Sequence, residues 1–266
     1  MTIHKITIVA LGAAYCAGCC SLCDNEEATR DNEGFVSIFN GKDLSGWYGS
    51  KYYAVTPEGT LKSDPNASVM NGDATDQGNL LTVKEYGNFV LRFEFKMPEN
   101  GNNGLGIRTP GPLVDAAYEG MCELQLLDDG GSSYFDQATG RDKLKSYQYT
   151  GSVYGIVPCR RNNRRAGYTA GGSFVRKPGE WNYAEVWVVG EEIEFYLNGE
   201  FITKANLVDF PVDGSTPDGH KHPGLHNTKG HLGWLGHGHA VEWRNIRIKE
   251  FAEGVKLRDV KSRVVD

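Results

Sequence analysis

The chain has 266 residues, of which 34 are glycine and 11% are aromatic, and 28 basic against 34 acidic side chains give it a formal net charge of −6. That balance argues against nucleic acid or an anionic membrane surface as partner and favours a neutral ligand. The length suits a single all-β domain, and short apolar runs broken by glycine point to many short strands instead of long helices.

At the N-terminus, His4 and Lys5 precede an apolar run over residues 6–15, and the small residues Ala17 and Gly18 stand ahead of Cys19. Residues 1–23 therefore read as a bacterial export signal with a lipoprotein-type cleavage site, with Cys19 the lipidated first residue. The protein is then expected in the periplasm or cell envelope, held by a lipid anchor. Cys16 stands where Leu is usual, so an ordinary signal peptide cut nearby is the alternative, and the run is too short to span a bilayer. Residues 24–33 are polar and acidic and read as a linker. Only Cys122 and Cys159 of the six cysteines lie in the body, as one disulfide or as buried free thiols.

The body is expected over residues 34–250. Residues 87–97 alternate strictly, with Phe89, Leu91, Phe93 and Phe95 on one face and Val90, Arg92, Glu94 and Lys96 on the other, the pattern of a half-buried strand. Further strands are predicted at 104–109, 183–189, 192–197, 200–202, 231–235 and 240–251, with Asn198-Gly199 as a type I′ hairpin pair. No repeat of 20–50 residues is visible, which disfavours a propeller and leaves a two-sheet antiparallel jelly-roll sandwich as the best match. Long connections at 48–78, 129–148, 159–172 and 204–229 are expected to wall a binding site. Residues 251–266 form a charged tail, either a short helix or disordered.

Within the body, residues 118–129 are the most informative stretch. At strand period, Cys122, Leu124 and Leu126 face the core while Glu123 and Gln125 face outward. A bulge at Leu127 would swing Asp128 to the side of Glu123, placing two carboxylates in one groove, as acid/base work on a sugar requires. A half-exposed edge strand with solvated acids explains the alternation equally well. Arg108 alternates against Leu105 and Ile107 and is expected to face the groove, where its donors could hold an oxyanion; a surface ion pair is the plainer reading. Asn103 lies in the Gly-rich run 101–104, Tyr154 stands between glycines at 151 and 155, and Trp181 follows the turn 178–180 as a flat apolar platform for a sugar face. Six of the seven histidines fall between 220 and 239. The pairs His220/His222 and His237/His239 have the spacing of metal arms on a strand, but no carboxylate or cysteine cluster completes a site, and His237 reads better as an acid/base or hydrogen-bonding group.

Several motifs run in a familiar order: residues 34–47 with Phe39-Asn40-Gly41-Lys42-Asp43, the Gly-Asn-Asn-Gly-x-Gly-Ile-Arg run at 101–108, Glu123-x-Gln125-x-x-Asp128, 151–155, 179–182, Asn198-Gly199 and 244–246. In this the chain resembles the 3-keto-disaccharide hydrolase family over essentially all of residues 34–250. The resemblance implies a concanavalin A-like lectin/glucanase jelly roll and an exported bacterial enzyme that cleaves glycosides oxidised at C3. The strand at 123–128 is also similar to the E-x-D-x-x-E strand of laminarinase-type glycosidases, with Gln125 replacing the middle acid. One departure stands out: Trp234-Leu235-Gly236-His237-Gly238 lacks the glutamine that the family carries before its His-Gly.

The chemistry so implied starts from a ketone at C3, which acidifies the C2 hydrogen. A base removes it, an enolate forms, and the C1 substituent leaves. Glu123 or His237 is assigned as base, Arg108 as electrostatic stabiliser and Asp128 as acid, with Gln125, Tyr154, Asn103 and Trp181 contacting the oligosaccharide or glycoside substrate. No cofactor is assigned, and a divalent ion could stabilise the enolate instead of Arg108. Hydrolysis and β-elimination both stay open as outcomes. A non-catalytic carbohydrate-binding module and an ordinary retaining glycosidase are the alternatives.

Overall fold

A computed structural model describes residues 33–68, 75–113, 122–136, 138–139, 141–159 and 174–261. The expected export signal, with Cys19, lies outside them. Five short strands come first: β1 (Val36–Ser37), β2 (Trp47–Gly49), β3 (Tyr53–Val55), β4 (Leu61–Ser63) and β5 (Leu80–Thr82). They are followed by β6 (Asn88–Lys96), β7 (Asn102–Thr109), β8 (Cys122–Leu127), β9 (Phe135–Asp136) and β10 (Arg141–Asp142). The C-terminal part supplies β11 (Trp181–Val189), β12 (Glu192–Leu197), β13 (Glu200–Asn206), β14 (His231–Gly236), β15 (Glu242–Phe251) and a helix α1 (Leu257–Lys261).

Thirteen of these strands form two large sheets, and β9 and β10 form a separate antiparallel pair. The larger is antiparallel in the order β13-β12-β11-β6-β15-β4-β3, with β1 also on β15; the smaller runs β2-β5-β14-β7-β8. The inward residues of β6, Phe89, Leu91, Phe93 and Phe95, are fully buried and meet Leu105, Ile107, Cys122, Leu124 and Leu126 of the smaller sheet in one core. Trp234 anchors that core, stacked on Trp243 with ring centroids 4.8 Å apart and met edge-on by Phe93 at 5.0 Å. The fold is thus the all-β, two-sheet jelly-roll sandwich that the alternation predicts. Asn198 and Gly199 both have positive φ (52° and 85°), as a type I′ turn between β12 and β13 demands.

One feature differs from the expectations, and two fall on one of the readings left open. The segment 48–78 carries β3 and β4 as well as the end of β2, strands too short for a two-residue period to register. Cys122 and Cys159 are both buried free thiols, and burial pushes the Cys122 thiol up to about 12. The tail forms α1, whose five residues could not hold a helix alone. Leu257 and Val260 are pinned in a second apolar cluster on the outside of the larger sheet, against Phe35, Val90, Trp187 and Val189, and Lys261 reaches Glu194 and Tyr196.

Candidate active site

The site is built on the outward face of β8, β7 and β14. Cys122, Leu124 and Leu126 pair with Ile107, Leu105 and Asn103 on the core side, which leaves Glu123 opposite Gly106, Gln125 opposite Gly104 and Leu127 opposite Asn102 on the other. On the far side of β7, Gly233 and Leu235 of β14 lie opposite Gly106 and Gly104. Glycines thus lie opposite two polar side chains, both buried. The seat of Glu123 depends on Gly104: a Cβ there would stand 2.2 Å from Glu123 Oε1 and 2.8 Å from its Cδ. The carboxylate of Glu123 lies across the backbone of β7 and reaches to 3.6 Å from His237 Nε2, just past the end of β14. The Glu123 side chain is 3% exposed and that of His237 24%.

Gln125 donates from Nε2 to Asn102 Oδ1 at 2.9 Å. The outer edge of β8 is covered by the segment 151–154. Gln125 N–H donates to Ser152 O (3.0 Å), Gly151 N–H to Gln125 O (2.9 Å) and Tyr154 N–H to Glu123 O (3.0 Å), while Val153 bridges to Leu124 on the core side. Tyr154, next to inward Val153, takes the Glu123 face, and Gln148 Nε2 donates to its hydroxyl at 3.4 Å. Glu123 Oε1, Gln125 Oε1 and His237 Nε2 are buried without a hydrogen-bond partner. Most buried polar atoms in folded proteins are paired, and three unpaired ones drawn together on Glu123, Gln125 and His237 fit a surface shaped for a polar ligand.

The structure brings together Glu123, His237, Gln125 and Tyr154, and places the other four expected residues elsewhere. No bulge forms at Leu127: β7 and β8 pair without interruption from Ile107–Cys122 to Asn102–Leu127, so Leu127 takes the groove face. Asp128 falls past the strand end and accepts Asn100 N–H at 2.7 Å, holding a turn in which Asn100 has φ of 56°. Burial, helped by the charge of Glu99, pushes its carboxyl up to about 6. The bulge sits instead in β7, where the register to β14 shifts and Arg108 adopts φ of 55°. This takes Arg108 out of the groove. Its Nε and Nη2 donate to Gly87 O (3.1 and 2.8 Å) and its Nη1 to Asn227 O (3.0 Å), while Asn227 Nδ2 donates back to Arg108 O. Burial draws the guanidinium pKa below its ordinary value.

Asn103 points into the core and is fully buried, and its neighbour Asn102 is the asparagine on the groove side. Trp181 belongs to the other sheet, on its outer face, with the Arg244 guanidinium 4.1 Å and the Lys96 ammonium 4.9 Å from its ring centroid. The histidine pairs do not converge: His222 bonds Asp218, whereas His237 faces Glu123. Among the described residues no group of three or more His, Cys, Asp or Glu is arranged to hold a metal ion. Among the described residues, Glu123 and His237 would supply two ligands only, fewer than a dedicated metal centre uses. Asn102 and Gly104 carry parts of the site not assigned to it from the sequence; Gly104 had a signal in the Gly-rich run 101–106, and the observed register sets it opposite Gln125.

The profile of the 3-keto-alpha-glucoside-1,2-lyase-like domain matches residues 34–249. The chain belongs to that family. A similar protein is the 3-keto-disaccharide hydrolase of Bacteroides thetaiotaomicron, 25% identical over an alignment of 257 positions, gaps included, which takes in 85% of this chain and 81% of the relative. Two crystal structures from Parabacteroides distasonis, both described as glycosyl hydrolases, superpose with TM-scores of 0.61 and 0.60 at 26% and 25% identity. They cover 83% and 82% of this chain, which spans 95% and 99% of theirs. In this member of the lyase-like family, the motifs at 101–108 and 123–128 serve different ends: Gly104, Glu123 and Gln125 shape the groove, whereas Arg108 and Asp128 brace the turns that flank it.

Proposed function

We propose that this protein acts on carbohydrate, cleaving glycosides that carry a ketone at C3, and that Glu123 and His237 together move the C2 proton. The observation that carries this reading is the buried carboxylate of Glu123, with one oxygen unpartnered and 3.6 Å from an equally unpartnered imidazole nitrogen. A base must meet its proton in a dry, fixed setting, and Gly104 and the Tyr154–Glu123 backbone bond hold this one in place. The base takes the C2 hydrogen, the C2–H electron pair moves into the enolate of the C3 ketone, and the enolate then expels the C1 oxygen as the C1–O bond breaks. The leaving oxygen takes up a proton, and water adding across the new C1–C2 double bond would complete a net hydrolysis. His237, more open than Glu123, is the group placed to exchange that proton with the leaving oxygen or solvent. The Tyr154 hydroxyl and the Gln125 amide orient the ring hydroxyls.

An ordinary retaining mechanism needs a second carboxylate about 5 to 5.5 Å from the first, and Asp128, the candidate for it, is bonded to the Asn100 turn. The family and the relatives' names support a carbohydrate-acting enzyme; the 3-keto requirement is the finer part of the reading. Incubating the protein with a disaccharide and with its 3-keto derivative tests it by product analysis. Cleavage of the 3-keto compound alone is expected. Equal cleavage of both would point to a conventional glycosidase, and binding without turnover of either to a carbohydrate-binding module. Export as a Cys19-lipidated protein belongs to the same proposal: Cys19→Ala should move the protein from the membrane to the soluble fraction, and unchanged membrane retention would contradict it.

A further inference from the structure

Outside the groove, the structure holds a buried acid and imidazole that the reaction does not use. Asp218 and His222 have side chains 4% and 1% exposed, and His222 Nε2 lies 3.1 Å from both carboxylate oxygens. Asp218 Oδ1 also accepts from Thr216 Oγ1 (2.7 Å) and His220 N–H (3.0 Å). Nearly every lone pair of this carboxylate is directed, which fixes its orientation in a way apolar packing would not.

The pair presses on one residue, Gly155. A Cβ there would stand 2.1 Å from Asp218 Oδ2 and 2.8 Å from His222 Cε1, and the backbone has φ of 77°. Asp218 N–H donates to Gly155 O at 3.2 Å. On the other side of Tyr154, Val153 is fully buried and accepts from Ile156 and Val157 N–H at 3.0 and 2.9 Å, closing a tight turn. Tyr154 is therefore held between a core residue and the acid–imidazole pair, while its own N–H bonds Glu123 O. We propose that Asp218 and His222 are positioning residues that, by fixing Gly155, set the Tyr154 side chain in register with the groove. This rests on reading the Glu123 groove as the reacting site.

Two measurements on the full chain test it. In the first, kcat and KM on a 3-keto disaccharide are compared for the parent, Asp218→Asn, His222→Gln, Tyr154→Phe and the Asp218→Asn/Tyr154→Phe double variant. A displaced contact of this kind costs on the order of tenfold to a hundredfold. Asp218→Asn should lose that much in kcat/KM, and His222→Gln, which keeps an N–H donor, should lose less. In the Tyr154→Phe background Asp218→Asn should add little, because both act through one side chain. Losses that simply multiply would overturn the inference and leave the pair as a loop staple.

The second measurement is hydrogen exchange of the peptide spanning 151–157, which needs no substrate. Faster exchange there in Asp218→Asn or His222→Gln, with β6, β11 and β15 still protected, is expected. Unchanged protection at 151–157, or loss across the whole sandwich, would overturn the inference. If the parent cleaves no 3-keto compound, the failure falls on the reaction and the exchange result alone decides the positioning role.

Discussion

Gly104 and Glu123 depend on each other at the scale of single side chains. The carboxylate occupies the volume that any β-carbon at 104 would need, so Gly104→Ala should leave the sandwich folded and push Glu123 off β7. Its kcat/KM should fall on the order of a hundredfold, as for misplaced reacting groups generally; an alanine variant with parental rates would show that the seat does not matter. Glu123→Gln should cost about 10² to 10³ in kcat with an unchanged melting temperature. Arg108→Met is expected to behave in the opposite way. Its guanidinium bonds the half-buried carbonyls of Gly87 and Asn227, so the variant should lose about 1 to 3 kcal/mol of stability while folded molecules keep most of their rate. Denaturant titration paired with kinetics separates the two patterns. Alternation alone cannot tell them apart, because Arg108 reads as groove-facing until the backbone turns to φ of 55°.

At the scale of elements, the legible strands are those with complete alternation and a buried face. β6 and β12 fall where the period predicts, whereas β2 to β4 are three residues each and leave no periodic trace. Bulges are the other limit. One expected at Leu127 does not form, since β7 and β8 stay paired to Asn102–Leu127, and an unforeseen one appears in β7 near Arg108. Each misplaces one side chain by a full face, which is why Asp128 and Arg108 leave the groove while Glu123 and Gln125 stay. Asp128 now acts on stability. Its folded pKa, raised from 3.8 to about 6 by burial, means that between about pH 4 and 6 the folded chain binds more protons than the unfolded one. Stability from this group is therefore greatest below pH 4 and is lost as the pH rises through 6. Asparagine can still accept the Asn100 N–H without that cost. The stability of Asp128→Asn relative to the parent should rise from about pH 4 to 6 and level off above. A difference that is flat, or that falls over this range, would remove the raised pKa.

Over the whole molecule, the sandwich and its core follow from local patterns, because β6 to β8 and β11 to β15 each declare a buried face. The groove does not follow so directly. Its floor is three neighbouring strands, but its wall brings together the turn at 153–157, backed by Asp218 and His222 from a loop some 60 residues on, and His237 beyond β14. Nothing local says that the histidine-rich segment divides between two acids. The same long-range assembly leaves Trp181 on the opposite sheet from Glu123, although both are polar-face residues of well-formed strands. The central claim is that Glu123 and His237 transfer a proton at C2 before the C1–O bond breaks. Cleavage of a 3-keto disaccharide in D2O, followed by NMR at C2 of the released 3-keto sugar and set against a control of that sugar alone, tests this directly. Deuterium at C2 is expected with the parent, and almost no turnover with Glu123→Gln; release of a sugar that keeps its original hydrogen at C2 would show that no proton leaves C2.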